Sequence, residues 1–131
     1  DDTTPTFAEL YNFSALDCAI TPTNASNILK IDISLNLGLN GGTYNLIGLF
    51  QDASGTDGAT AVWGVRQVSD DTRAVSVSYY MTAGTTEETT FQVSVGQVGG
   101  TSNVNINQPL AGTDKFNSKL ISSISISEIQ A

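Results

Sequence analysis

A chain of 131 residues that is 40% hydrophobic and only 14% charged can bury a core of its own, and it is too poor in charge to read as disordered. Thirteen acidic residues against five basic ones give a net charge of −8, which excludes phosphate neutralisation; neither nucleic acid nor anionic lipid is an expected partner. One cysteine excludes an intrachain disulfide, and the absence of histidine removes the commonest general base and the usual zinc ligand.

Taken in chain order, period-2 alternation recurs throughout. Phe13 to Ile20 reads as a first strand, with Cys18 as a small buried hydrophobe within it. From Leu29 to Leu37 the odd positions are apolar and the even ones polar, the pattern of a strand with one face on a core. Asn40-Gly41-Gly42 supplies a turn. Tyr44 to Phe50 is apolar on both faces, as in the middle of a sheet. A loop of turn formers from Asp52 to Gly58 precedes a strand from Thr60 to Arg66. Val75, Val77, Tyr79 and Met81 alternate with polar residues, and so do Phe91, Val93 and Val95 after the loop from Ala83 to Glu88. Beyond Gly99-Gly100-Thr101, a strand spans Asn103 to Asn107, and the last runs from Leu120 to Ile129. No segment has a helical period. The expectation is an all-β, antiparallel β-sandwich of jelly-roll type, with about eight strands in a single domain covering residues 1–131. The predicted core is Ile31, Ile33, Leu35, Val77, Phe91, Val93, Ile124 and Ile126. No apolar run is long enough to span a membrane, and the start at Asp1 rather than Met is expected of a processed chain or a piece of a longer one.

A search for chemistry finds little. The carboxylate pairs Asp1-Asp2, Asp70-Asp71 and Glu87-Glu88 fall in loops or at the terminus, and adjacent strand residues point to opposite faces, so none is a catalytic dyad. No cofactor motif and no metal set is present. Asp52 and Asp57, with the carbonyls between them, have an alternative reading as a cation-ordered loop, although their spacing is not that of an EF-hand. Tyr44, Trp63, Tyr79 and Tyr80 read as core or subunit contacts, with a sugar-stacking platform as the alternative. Tyr80 stands on the polar register of its strand, which suits an interface.

Five segments together carry a resemblance. Asp1 to Pro5 resembles the "DDTIPQ" opening of a domain found near the C-terminus of many bacteriophage tail-fibre and virion-surface proteins. Ala19 to Ile31 resembles its "ITP-x-SA-x-NKL-x-I" stretch, and Leu49-Phe50-Gln51-Asp52 its "LFQD" strand end. Tyr80 to Thr86, with Thr89 to Val93, is similar to "YMTAGTT-x-x-TTFKVR", and Ser123 to Ile129 to "S-x-I-x-I-x-EI". The resemblance implies a trimeric jelly roll, comparable in shape to C1q and tumour-necrosis-factor domains, on the outside of a virion.

The expected function is therefore a non-enzymatic virion-surface module: a tail-fibre or spike domain that contacts the host surface. The alternatives are a capsid decoration protein that clamps the head and, from a different class, a carbohydrate-active enzyme. Expected partners are two further copies of the chain, other virion proteins and a host-surface glycan. The trimer interface is expected at Tyr44, Tyr79 and Tyr80. Host contact is expected on one distal set of polar, Gly-rich loops that present backbone groups: Asp52 to Thr60 with Asp52 and Asp57, and Gly99 to Ser102 with Gly99, Gly100 and Thr101.

Overall fold

The computed structural model describes residues 3–39, 44–66, 71–97, 104–108 and 120–131. Nine strands are present among them: β1 (Tyr11–Asn12), β2 (Cys18–Ile20), β3 (Ile28–Leu39), β4 (Tyr44–Gln51), β5 (Ala61–Arg66), β6 (Asp71–Thr82), β7 (Thr89–Gln97), β8 (Asn105–Ile106) and β9 (Ser123–Ile129). Short 3-10 turns cover Phe7–Glu9 and Ser14–Leu16. No helix among the described residues is long and apolar enough to cross a membrane.

All pairings are antiparallel, and they form a five-stranded and a four-stranded sheet. In the first sheet the order is β1-β7-β4-β5, with β2 following β1 along the same side of β7. In the second, β3 is central, β6 lies on one side, and β9 and β8 share the other. The winding is nested. Neighbours β4 and β5 pair in the first sheet, the flanking β3 and β6 pair in the second, and the next outward, β2 and β7, pair back in the first. A ribbon rolled in this way is a jelly roll. The fold class is the expected one: an all-β antiparallel sandwich.

The alternation in β3 does what its pattern requires. Leu29, Ile31, Ile33, Leu35 and Leu37 are buried and face Ile47, Leu49, Phe91, Val93 and Val95 from the other sheet. Their even-numbered neighbours lie on the outer face, where Lys30 pairs with Asp32 at 2.8 Å. Three members of the predicted core differ. Val77, Ile124 and Ile126 are only partly buried, because β6 and β9 flank β3 and leave their outer sides open. Cys18 is likewise half-buried rather than enclosed, since β2 is an edge.

The predicted first strand is interrupted. Between Asn12 and Cys18 the chain has five residues, but only Gln92 and Val93 stand opposite on β7. The Ser14–Leu16 turn absorbs the excess. The preceding arm crosses the outer face of the first sheet. Phe7 packs edge-on against Phe50 with ring centroids 5.3 Å apart. Leu10 lies in a notch formed by two glycines: a Cβ at Gly96 would stand 2.2 Å from Leu10 Cδ2, and one at Gly48 2.9 Å from Leu10 Cδ1. Both glycines lie on the outer register of their strands, so their missing side chains make room for the arm.

Candidate functional site

The strand ends that precede the two predicted contact loops lie at opposite ends of the first sheet. Gln51, the last residue of β4, pairs with Phe91, whereas Gln97 pairs with Asn45 at the start of β4. The Asp52 loop follows Gln51. The Gly99–Ser102 loop follows Gln97, and Gly99, Gly100 and Thr101 lie outside the described residues. With about 3.3 Å per residue, the eight residues of β4 span roughly 25 Å.

The Asp52 loop is a stitched corner. Asp52 holds a left-handed backbone at φ 47°. Its carboxylate accepts from Thr89 Oγ1 at 2.6 Å and from the Thr90 amide at 2.7 Å. Asp57 Oδ2 accepts instead from the Ser54 amide at 2.8 Å. The two carboxylates thus serve separate local partners. Carbonyls expected to be presented outward are also in use: Phe7 donates to Asp57 and Ala8 to Gly55, both at 2.8 Å.

The three tyrosines of the expected trimer interface occupy three environments. Tyr79 is on the inner face of β6, edge-on to Trp63 with centroids 6.4 Å apart. Tyr80 is on the outer face of the second sheet, 56% exposed, opposite Lys30. Tyr44 is 59% exposed on the outer face of the first sheet, with the Arg66 guanidinium 5.4 Å from its ring centre. Tyr44 and Tyr80 consequently point away from each other, on opposite faces of the sandwich.

A further cluster, centred on Glu128, went unmarked by sequence pattern. Glu128 has the inner register of β9, one position from the end of the strand. Its Oε1 accepts from the Thr23 amide at 2.8 Å, Thr23 Oγ1 at 2.9 Å, the Asn24 amide at 3.3 Å and Asn27 Nδ2 at 2.7 Å. These bonds, that from Asn27 foremost, hold the carboxyl below its ordinary pKa against a smaller loss of water. The Asn27 side chain completes the knot, accepting at Oδ1 from the Ala131 amide at 3.3 Å. Asn24 Oδ1 accepts from the amide and hydroxyl of Ser26, which tightens the turn into β3. Thr23, Asn24, Asn27, Glu128 and Gln130 line an open depression of about 400 Å³.

Four of the segments that carry the resemblance meet at this end of the sandwich. Asn27 joins the second segment to the last through Glu128. Gln51 and Asp52 join the strand-end motif to Thr89 and Thr90. Gly84 donates to the Ala25 carbonyl at 2.9 Å. The fold and this end define the class as an antiparallel jelly-roll sandwich with one heavily hydrogen-bonded pole. Neither the family models nor the curated proteins compared with the sequence match it.

Proposed function

We propose that the chain is a non-enzymatic surface module of a bacteriophage virion, working as a homotrimer in a tail fibre or spike that contacts the host. The observation that carries this reading is the convergence just described. Segments separated by up to a hundred residues, which resemble the virion-surface domain one by one, bond to one another in a single corner, as parts of one inherited unit would. The exposed aromatics give the trimer physical support. A ring of three copies is joined head to tail, so each copy offers two different patches. Tyr44 and Tyr80, on opposite sheets, are candidates for the two.

The test has two measurements. Light scattering on the purified chain is expected to give the mass of three copies; a monomer at micromolar concentration refutes the trimer. Gold-labelled antibody on phage particles purified from the source of the chain is expected at the tail. Labelling over the head replaces the host-contact reading with a decoration protein, and no labelling refutes the virion assignment.

A further inference from the structure

We propose that the depression beside Glu128 is a binding site for a neutral carbohydrate. The inference rests on the host-contact reading above and gives it a site and a ligand chemistry.

The lining decides the ligand class by elimination. Thr23, Asn24, Asn27, Glu128 and Gln130 include no basic residue, and the chain carries a net charge of −8, so an anion is repelled. They include one carboxylate, and no group of three His, Cys, Asp or Glu side chains gathers anywhere among the described residues. A hard cation wanting about six to eight oxygens is therefore poorly served. No aliphatic or aromatic side chain lines the depression, so it does not suit an apolar ligand. What remains is a neutral molecule rich in hydroxyls, each able to donate and accept.

The groups present match that need. Glu128 Oε1 is fixed by its four donors, so the carboxylate is held in place before any ligand arrives. Its Oε2 accepts no hydrogen bond among the described residues and is available to a hydroxyl donor. The Gln130 amide and Asn24 Nδ2 also make none among the described residues, and they supply donors and a further acceptor. A volume of about 400 Å³ falls at the lower end of the roughly 300–1,000 Å³ typical of small-molecule sites. Without an aromatic stacking surface a single site binds weakly, and three copies on one trimer raise the avidity.

The experiment is an NMR titration of the whole ¹⁵N-labelled chain with glucose, galactose and N-acetylglucosamine, each into the tens of millimolar, with sorbitol as an open-chain control. Saturable shifts at Thr23, Asn24, Asn27 and Gln130 with at least one ring sugar are expected at a lower midpoint than with flexible sorbitol, which loses more freedom on binding; sorbitol binding as tightly as every ring sugar overturns a carbohydrate site. Gln130→Ala, which removes no hydrogen bond among the described residues, should keep the spectrum of the fold and raise the saturation midpoint about fivefold, as losing one net hydrogen bond requires. No saturable shift with any sugar, or the same midpoint in Gln130→Ala, overturns the site. That failure is separable from failure of the virion reading: the titration needs no particle, and antibody labelling needs no sugar.

Discussion

Asn27 is 6% exposed, and its amide is used from both ends, by Glu128 and Thr23 on one side and the Ala131 amide on the other. Replacing it with alanine strands a carboxylate whose strongest donor has gone. Asn27→Ala should lower stability by about 1–3 kcal/mol, read as a drop in the urea midpoint with an unchanged slope. Phe91 fails by a different mechanism. It is fully buried between the sheets, and Phe91→Ala leaves a cavity worth about 3–5 kcal/mol in the same measurement. Phe91 was readable from the sequence because its neighbours Val93 and Val95 repeat its period. Asn27 and Glu128 left no such mark. Their bond joins residues 101 positions apart, and alternation records which face a residue occupies, not what it touches. The only trace lay in the resemblance, whose second and last segments contain them.

Among the elements, the arm from Phe7 to Leu10 shows where pattern reading stops. The long strands β3, β6 and β7 were legible because each turns its apolar side chains to one face, and that imprints a period of two. The arm packs on the outer face of a sheet that is buried from both sides near β4, and an apolar run from Tyr44 to Phe50 does not say what covers its outer side. The break between β1 and β2 was hidden too, because Phe13 and Leu16 are apolar and keep the segment as hydrophobic as a strand, even though three positions separate them. The notch makes a prediction. Gly96→Ala places a methyl group 2.2 Å from Leu10 Cδ2, closer than two carbons can approach, and should cost about 1–3 kcal/mol by overpacking. The same variant should release the arm to limited proteolysis near Leu10. Adding Leu10→Ala should recover part of the loss, since the two changes share one space; a double-mutant cycle with zero coupling would contradict the packing described.

At the scale of the whole molecule, charge governs the response to pH. Hydrogen bonds hold three carboxyls below their ordinary values: Glu128 through Asn27, Asp32 through Lys30 and Ser78, and Glu9 through the Thr6 backbone. Each stabilises the fold above its unfolded pKa, and that contribution is lost as pH falls through the lowered folded value. Asp17 runs the other way: loss of water raises its pKa, so its charged form weakens the fold at neutral pH and protonation relieves it. With no histidine, little titrates between about pH 5 and 7.5. The melting temperature should therefore be flat across that interval and fall below about pH 4.5. Glu128→Gln should show a shallower acid limb than the parent, and circular dichroism melts at successive pH values check both. An identical acid limb would mean that the Asn27–Glu128 contact contributes nothing.

The nested winding also bears on how the chain is made. β3 is complete by Leu39, yet one of its two flanks is supplied by β9, with Ile28 lying opposite Ile129. A ribosome releases residues in order, so until β9 is made the inner face of β3 has β6 on one side and nothing from β9 on the other. That side of the sandwich cannot close until β9 clears the exit tunnel. Sheets joined over such distances form slowly, on the order of milliseconds to seconds. Ribosome-stalled chains ending before Ser123 should thus be cut readily by protease, and chains extended far enough to free Ala131 should resist it.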